Sequence, residues 1–409
     1  MSRHTYPRDR LPVLLLENVH PRAAERFREE GYPVETVAGA LDEATLAARL
    51  AEGVSVLGVR SKTPVTARAL AAAPRLLAVA AFCIGTDRID GRAAALKGAP
   101  VFNAPYSNTR SVVELAVAEI IALNRQLFDR SRDLHAGRWT KSAEGAAEVR
   151  GKKLGIVGYG AIGSQLSVMA EAIGLEVHYF DTAEKLALGN ARKRRSLDEL
   201  LGAVDVVSLH VDGRAENRDM IGPAEFAAMQ DGALLLNLSR GHVVDIPALA
   251  EALRSGKLAG AAVDVFPEEP DSNGEPFDSA LRGLPNVILT PHIGGSTAEA
   301  QEAIAEFAAD RLLGFLHRGD TGFAVNMPNV ELPEVRGAHR LLHVHENRPG
   351  LLAAVNGVLA DRGANIVAQY LRTDEAVGYV VTDIDRDHAP DLMAALRAVP
   401  GTLRFRSVY

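Results

Sequence analysis

Two patterns of hydrophobic positions alternate along the first hundred residues. Short, continuous apolar runs are typical of buried parallel strands. These runs lie at residues 13–17, 54–59 and 76–80. Between them lie polar segments of helical length, such as residues 42–52, where Leu46, Ala47 and Leu50 recur at helical spacing and Asp42 is placed to cap the start. This alternation predicts a parallel sheet with helices packed on it.

A second alternation begins near residue 153 and has six such runs, with helical segments between most of them. The predicted strands are residues 154–157, 175–180, 204–209, 233–238, 260–265 and 287–290. Long helical segments precede and follow this block, at residues 111–128 and 297–317. The pattern predicts a complete doubly wound α/β lobe, after which the chain returns to the first lobe near residues 325–327.

The order of elements changes after the link at residues 328–337. The predicted elements are strand 340–344, helix 351–362, strands 365–371 and 378–384, helix 390–398 and strand 402–407. This βαββαβ order is that of a ferredoxin-like module. We therefore predict an α/β protein with four segments. They are a first lobe at 1–109, a second lobe at 110–298, a return to the first lobe at 299–330, and a C-terminal module at 338–409.

Composition narrows the class of protein. A chain of 409 residues that is 47% hydrophobic has core enough for two or three domains. The single cysteine, Cys83, excludes a disulfide framework and favours a reducing, cytoplasmic setting. A net charge of −7 argues against binding to nucleic acid or to an anionic membrane surface. The apolar runs are far shorter than the roughly 20 residues that span a bilayer, so we expect neither a signal peptide nor a membrane segment.

A Gly-x-Gly-x-x-Gly run lies between the first strand and the first helix of the second lobe. Gly158 permits the tight turn, Gly160 lets the backbone approach a pyrophosphate, and Gly163 lets helix and strand pack closely. Asp181 ends the next strand, where its carboxylate can bind a ribose diol and repel a 2′-phosphate, so NAD is favoured over NADP. Cations at residues 192–195 could attract that phosphate, but a solvated face is the simpler interpretation. The alternative is an ordinary glycine turn with Asp181 capping a loop.

Three later strand ends of the second lobe carry Arg240, Glu269 and His292. Because ligands bind at the carboxyl ends of parallel strands, we expect these side chains to converge. Oxidation of a 2-hydroxy acid needs a base for the hydroxyl proton, a carboxylate that orients this base, and a cation for the substrate carboxylate. Histidine, glutamate and arginine supply these functions. The alternatives are a capping histidine and a surface ion pair.

These motifs resemble those of the D-isomer-specific 2-hydroxyacid dehydrogenases, and more closely the D-3-phosphoglycerate dehydrogenases. The resemblance covers nearly the whole chain. It rests on the glycine run, Leu238-Ser-Arg240-Gly, the Glu269 segment, Pro-His292-Ile-Gly-Gly, Gly58-Val-Arg60-Ser-Lys-Thr63, Phe102-Asn-Ala-Pro-Tyr-Ser-Asn108-Thr-Arg-Ser111 and a C-terminal segment similar to ACT domains. It implies a substrate-binding first lobe and a Rossmann NAD-binding second lobe. The implied reaction oxidises 3-phospho-D-glycerate to 3-phosphohydroxypyruvate with NAD, the entry to serine synthesis. Reduction of 2-oxoglutarate to 2-hydroxyglutarate is an implied side reaction.

The resemblance also implies roles for individual residues. Catalysis falls on Arg240, Glu269 and His292. Besides the three glycines, the implied NAD contacts are Ala161, Ile162, Asp181, Leu238, Ser239, Arg240, Asp264, His292, Ile293, Gly294 and Gly295. The implied substrate contacts are Arg60, Ser61, Asn108 and Arg240, with Lys62 as a nearby cation and Lys141 as a further phosphate contact from a neighbouring subunit. One departure is Asp212, which adds an acid near the cofactor cleft where relatives commonly have proline.

The C-terminal module opens with His343-Val-His345-Glu-Asn347-Arg-Pro349-Gly350, where a strand runs into a helix whose free N–H groups can hold an anion. Two histidines without a third ligand do not make a metal site, so we predict no metal. The alternative is that both are solvent-facing strand residues. The resemblance implies an L-serine effector site with His345, Asn347 and Asn365 between paired modules of a homotetramer. Serine would then lower turnover by restraining lobe closure through residues 328–337.

Two other functions remain open. One is the same chemistry on another acid, such as D-lactate or glyoxylate, which Arg60, Ser61 and Asn108 disfavour. The other is a non-catalytic NADH sensor or transcriptional co-repressor, which the presence of Arg240 and His292 disfavours.

Overall fold

A computed structural model describes residues 7–270, 274–334, 339–385 and 390–408. Its internal contacts divide the chain into two compact units. The discontinuous unit comprises residues 1–105 and 301–409, and the continuous unit comprises residues 106–300. This division places the C-terminal module in the same unit as the first lobe. It does not test the four segment boundaries, which stay a prediction.

The first hundred residues form a five-stranded parallel sheet with the strand order β2-β1-β3-β4-β5. The strands are β1 (Val13–Leu15), β2 (Val34–Thr36), β3 (Val56–Val59), β4 (Ala78–Ala81) and β5 (Val101–Phe102). The helices are α1 (Pro21–Glu29), α2 (Glu43–Ala51), α3 (Ala67–Ala71) and α4 (Gly91–Leu96). The Asp42 side chain accepts a hydrogen bond from the Thr45 amide at 2.9 Å, so α2 begins where its cap predicts.

The continuous unit has a seven-stranded parallel sheet. Its strands are β6 (Lys153–Val157), β7 (Glu176–Phe180), β8 (Arg192–Lys193), β9 (Val206–Leu209), β10 (Ala233–Asn237), β11 (Leu258–Val263) and β12 (Val287–Leu289). Its helices are α5 (Thr109–Arg125), α6 (Leu127–His135), α7 (Ala161–Ala172), α8 (Leu197–Leu201), α9 (Pro223–Ala228) and α10 (Ile246–Arg254). The order β12-β11-β10-β9-β6-β7-β8 reverses direction between β6 and β9, the point where doubly wound folds bind nucleotides.

The long helices differ in detail from the prediction. The helix predicted over residues 111–128 ends at Arg125, because Gln126 adopts a left-handed conformation with φ 49° that breaks the hydrogen-bond ladder. Helix α6 then starts at Leu127. The second long helix, predicted over residues 297–317, is α11 (Ala298–Arg318). It begins in the continuous unit and ends in the discontinuous one. Within the described ranges, no helix combines the length and the apolar character needed to cross a membrane.

The C-terminal module has the predicted βαββαβ order, which confirms the fold class. Its elements are β13 (His339–Glu346), α12 (Leu351–Asp361), β14 (Ile366–Thr373), β15 (Val377–Ile384), α13 (Pro390–Arg397) and β16 (Thr402–Val408). They form an antiparallel sheet with the order β14-β15-β13-β16. One face packs against α12 and α13, with Leu341, Val355 and Leu396 in its core.

The other face of this antiparallel sheet joins the main core of the discontinuous unit. Leu342, Val344 and Tyr379 cluster there with Phe102 and Phe315. The Arg340 guanidinium is fully buried in this region and pairs with Asp383 through two hydrogen bonds of 2.7 and 2.8 Å. The link predicted at residues 328–337 lies partly outside the described residues.

Candidate functional site

The glycine run has the geometry that a dinucleotide requires. Gly158 has φ +90°, and a Cβ there would overlap the His210 carbonyl. A Cβ on Gly163 would overlap the Gly158 carbonyl, whereas a Cβ on Gly160 would meet nothing within 4 Å. Helix α7 begins at Ala161, and no side chain of the described residues caps its start. Gly158 therefore makes the turn, Gly163 allows the close packing, and Gly160 leaves the open space, as the motif predicts. The N-terminus of α7 fits a pyrophosphate.

Asp181 follows β7 and is tied to this loop. One carboxylate oxygen accepts a hydrogen bond from the Tyr159 amide and the other from the Ala183 amide, both at 2.8 Å. Two of the four cations in the neighbouring basic run are ion-paired: Lys193 pairs with Glu184 at 2.6 Å, and Arg194 pairs with Glu199 at 3.1 Å. These pairs support the interpretation of that run as a solvated face.

The unusual Asp212 is also paired. Arg214 contacts its carboxylate through two hydrogen bonds of 2.7 and 2.5 Å, and these hold the pKa of Asp212 below its usual value. The Asn217 side chain donates to the Asp212 carbonyl at 3.0 Å. The loop after β9 is thus closed by an ion pair.

Asn237 at the end of β10 shapes the turn that carries Arg240. This side chain is fully buried. Its carbonyl oxygen accepts from the Ser239 amide at 3.1 Å and from the Ser239 hydroxyl at 2.8 Å, and its amide donates to the Arg240 carbonyl at 3.0 Å. The Arg240 guanidinium donates to the Ser239 carbonyl at 2.8 Å. No role was predicted for Asn237, although an amide side chain directly after the apolar residues 233–236 was the available signal.

His292 and Glu269 are hydrogen-bonded to each other. The distance from His292 Nδ1 to Glu269 Oε2 is 2.9 Å, and Glu269 Oε1 accepts from the Phe266 amide at 3.1 Å. The His292 side chain is 44% exposed, so a ligand can reach its other nitrogen, Nε2. A carboxylate bonded to Nδ1 fixes the imidazole tautomer and stabilises its protonated form. This arrangement can perform general acid–base chemistry; the roles of the individual residues stay a prediction.

Asp264 holds the loop that carries His292. Its Oδ1 accepts from the Thr290 hydroxyl at 2.6 Å and the Ile293 amide at 2.8 Å, and its Oδ2 accepts from the Gly294 amide at 2.8 Å. The Asp264 carbonyl accepts from the His292 amide, also at 2.8 Å. His292 itself has φ +54°, which is strained for a residue with a side chain. The carboxylate predicted to contact NAD therefore already has three partners within the protein.

Two polar residues, one at the start of α5 and one within it, lie beside this region. Asn108 precedes the helix, and a Cβ added to Gly295 would overlap its side-chain amide. Glu119 is buried, and neither of its carboxylate oxygens has a hydrogen-bond partner among the described residues. Burial, with a smaller contribution from Asp264, raises the pKa of Glu119 to about 8. Glu119 lies in the helical segment predicted at residues 111–128, where no chemical role was predicted for it.

Three of the predicted substrate contacts, Arg60, Ser61 and Lys62, lie in the discontinuous unit, whereas Lys141 lies in the continuous one. Arg60 follows β3 directly and is half-buried, while Ser61 and Lys62 are exposed. Asn108 belongs to the continuous unit.

Two of the predicted effector residues, His345 and Asn347, lie at the turn between β13 and α12, whereas Asn365 precedes β14 at the opposite end of the sheet, where Asp385 follows β15. The Asn347 side chain donates to the Asp374 carbonyl at 2.6 Å, and Asn365 is exposed. His345 Nδ1 lies 2.8 Å from the Glu346 carbonyl. The alternative that His343 and His345 face solvent is wrong, because they are only 2% and 3% exposed. Both lie inside the module because residues that alternate along a strand share one face, here the covered one. Burial lowers the pKa of His343 to about 4, so this side chain is neutral near pH 7.

Comparison with known proteins identifies the family. Residues 117–294 match the model of the D-isomer specific 2-hydroxyacid dehydrogenase NAD binding domain, and residues 341–404 match that of the AHAS small subunit-like ACT domain. D-3-phosphoglycerate dehydrogenase of Haemophilus influenzae is 49% identical over 98% of this chain and 98% of that protein. The enzyme of the same name from Escherichia coli K12 is 48% identical over the full length of both chains.

A solved structure gives the same answer for the fold and the cofactor. D-lactate dehydrogenase of Aquifex aeolicus, complexed with NAD and lactic acid, is 28% identical and covers 78% of this chain and all of that chain, with a TM-score of 0.67. The glycine run, the strand-end residues and these similarities agree. The chain is an NAD-dependent oxidoreductase that belongs to the D-isomer-specific 2-hydroxyacid dehydrogenases, in the D-3-phosphoglycerate dehydrogenase group with a C-terminal ACT domain.

Proposed function

We propose that this enzyme oxidises 3-phospho-D-glycerate to 3-phosphohydroxypyruvate, the first step of L-serine biosynthesis. The observation that carries the chemistry is the hydrogen bond between His292 and Glu269 at the strand ends of a nucleotide-binding fold. The names of the full-length relatives support the substrate. We also infer a side reduction of 2-oxoglutarate to 2-hydroxyglutarate, and a reducing, cytoplasmic setting consistent with the single cysteine, Cys83.

The proposed mechanism assigns the proton to His292. Its Nδ1 is engaged by Glu269, so Nε2 takes the proton of the substrate C2 hydroxyl. The Glu269 carboxylate stabilises the imidazolium that results. Arg240 binds the substrate carboxylate, a task for which the planar guanidinium is suited. NAD, when bound, is the hydride acceptor, held by the glycine run, the α7 N-terminus, Asp181 and the predicted contacts at 238–240 and 292–295.

The substrate phosphate is assigned to the loop that follows β3. Arg60 and Lys62 supply positive charge and Ser61 a hydroxyl, all within three consecutive residues of an acidic protein. A phosphate dianion binds well to such a local group of donors. Asn108 is the further substrate contact that the family resemblance implies.

Regulation is assigned to the ACT module. We infer that L-serine binds at His345, Asn347 and Asn365 between the modules of paired subunits, and that the enzyme is a homotetramer. The serine would then act on turnover rather than on the chemistry of His292.

We also infer that Lys141 contacts the substrate phosphate from a neighbouring subunit.

One assay tests substrate, cofactor and regulation together. NADH absorbance is followed with purified enzyme and 3-phosphohydroxypyruvate, with and without L-serine. We expect oxidation of NADH that serine inhibits; an inert protein would contradict the catalytic proposal, and activity unchanged across a serine titration would contradict only the regulatory one. His292→Ala should lower kcat about 100-fold or more, since general acid–base catalysis contributes about 10²–10⁴-fold. His135→Ala, on the exposed side of α6, is the matched control.

The phosphate assignment is tested by Arg60→Ala. This change should raise KM for 3-phosphohydroxypyruvate much more than KM for unphosphorylated hydroxypyruvate, because only the first carries the group that Arg60 binds. Arg68→Ala removes an exposed arginine of the same unit and serves as the control. Equal effects on both substrates would remove Arg60 from the phosphate site.

A further inference from the structure

Glu17 contacts the loop that is assigned to the substrate phosphate. It lies two residues after β1, which pairs with β3 in parallel register. Glu17 Oε2 accepts hydrogen bonds from the Ser61 amide at 2.9 Å and the Lys62 amide at 3.0 Å, and Oε1 accepts from the Thr63 amide at 2.8 Å. One carboxylate thus binds three consecutive backbone N–H groups.

The surroundings hold this carboxylate in place. Glu17 is only 7% exposed, and Thr63 is fully buried. Glu17 and the following Asn18 have φ of +63° and +51°, an arrangement that costs about 1–2 kcal/mol for each residue with a side chain. Their amides donate to the Gly39 and Val37 carbonyls. Such strain persists only where the neighbouring structure determines the backbone, and it is concentrated at ligand-binding segments.

The three amides are the kind of donor set that otherwise binds an anion. Because the protein's own carboxylate occupies them, they are directed inward, toward Glu17. The proposed phosphate donors of this loop are therefore side chains rather than these amides: Arg60 is half-buried, and Ser61 and Lys62 are exposed. This explains how a buried negative charge can lie beneath a loop that binds a dianion: charge-assisted hydrogen bonds from three N–H groups compensate it.

We propose that Glu17 is a positioning residue that sets the specificity for a phosphorylated substrate by holding residues 61–63 through their backbone amides. The inference rests on the proposed function, because it takes the substrate phosphate to bind at this loop. Glu17 touches neither the reacting atoms nor the phosphate, so its effect falls on the binding of phosphorylated substrates rather than on hydride transfer.

A purely electrostatic argument and a positioning role for Glu17 predict opposite effects of Glu17→Ala on phosphate binding, so one substitution distinguishes them. Glu17→Ala removes a negative charge and releases three N–H donors, so a purely electrostatic view expects tighter phosphate binding. If Glu17 positions the loop, the same change weakens it. We expect KM for 3-phosphohydroxypyruvate to rise about tenfold or more, the equivalent of about 1.4 kcal/mol, while KM and kcat for hydroxypyruvate stay within about twofold.

Two further variants separate positioning from general damage. Glu17→Gln keeps one oxygen for Ser61 and Lys62 but turns an NH₂ group toward the Thr63 amide, so it should give an intermediate rise in KM. It also carries the test if Glu17→Ala does not fold. Glu35→Gln makes the same chemical change on β2 at an exposed glutamate that pairs with Arg49, and should leave both KM values unchanged. Circular dichroism and activity with hydroxypyruvate verify that each variant is folded.

The outcomes distinguish this inference from the proposed function. If the wild-type enzyme shows no preference for 3-phosphohydroxypyruvate over hydroxypyruvate, the proposed substrate is wrong. If the wild type has that preference and folded Glu17 variants keep it, or if Glu17→Ala lowers KM for the phosphorylated substrate, only the positioning role of Glu17 is overturned.

Discussion

Replacing Glu119 with glutamine should make the stability of the continuous unit less sensitive to alkaline pH. Glu119 lies on the buried side of α5, and its two carboxylate oxygens have no hydrogen-bond partner among the described residues. Burial, and secondarily the charge of Asp264, raises its pKa from 4.5 to about 8. At neutral pH the folded protein therefore keeps this proton, whereas the unfolded chain releases it.

The size of the effect follows from linkage. Because the folded pKa is raised, the contribution of Glu119 to stability is fully present below pH 4.5 and is lost as pH rises through about 8. Between pH 6 and pH 8.5, the wild type should lose about 2–3 kcal/mol of unfolding free energy relative to a variant that does not titrate there. A domain of this size changes Tm by about 2–4 °C per kcal/mol, so the relative shift is about 5–10 °C.

The measurement is the Tm of wild type and Glu119→Gln by differential scanning calorimetry at pH 6, 7, 8 and 8.5. Only the difference between the two pH curves is predicted, because a buried amide without a partner has its own cost. Glu114→Gln, on the exposed side of the same helix where Glu114 pairs with Arg110, is the control and should run parallel to the wild type. A parallel curve for Glu119→Gln would mean that Glu119 is ionised in the folded protein, and would refute the reasoning.

Three further predictions concern other buried carboxylates and the cofactor. Asp264→Asn should lower kcat about tenfold or more, because its NH₂ group opposes the Gly294 amide and loosens the loop of His292; unchanged kcat with NADH and 3-phosphohydroxypyruvate would contradict that function. Asp383→Ala should destabilise the enzyme by about 3–5 kcal/mol in urea unfolding, since it leaves Arg340 charged and buried, whereas Asp231→Ala, which breaks an exposed pair with Lys257, should cost less than about 1 kcal/mol. Asp181→Ala should lower kcat/KM for NAD more than for NADP; equal losses would exclude Asp181 from cofactor selection.

The sequence predicted those parts of the fold that depend on long periodic patterns. The strands of the continuous unit and the βαββαβ order of the C-terminal module lie close to where apolar runs place them. The glycine run was also predictable, because a positive φ at Gly158 and close packing at Gly163 are conditions that other residues do not satisfy. Short edge strands were missed, because β2 and β8 are largely exposed and contain no apolar run, and β5 has only two residues.

Other differences arise from single residues whose conformation depends on tertiary contacts. Gln126 ends α5 with a positive φ, although glutamine is a good helix former and nothing in its neighbours predicts a break. The burial of His343 and His345 follows from the packing of β13 inside the module, and an alternating polar pattern is equally consistent with an exposed face. Tertiary contacts therefore determine the conformation of Gln126 and the burial of His343 and His345.

Glu17 and Asp264 lie at similar positions in the fold, and the sequence alone does not show what their carboxylates bind. Each is an acid at the carboxyl end of a buried strand, and each accepts hydrogen bonds from backbone amides of a loop that follows a neighbouring strand. For Asp264 the family resemblance implied a contact with NAD, whereas Glu17 was assigned no role. A carboxylate has about four acceptor sites, and donors of the protein use three of them in both cases: three amides at Glu17, and two amides and the Thr290 hydroxyl at Asp264. These two side chains are therefore better suited to holding a binding loop than to contacting a ligand. The loops that they hold carry Ser61 and Lys62, which we propose bind the substrate phosphate, and His292, which we propose transfers the proton.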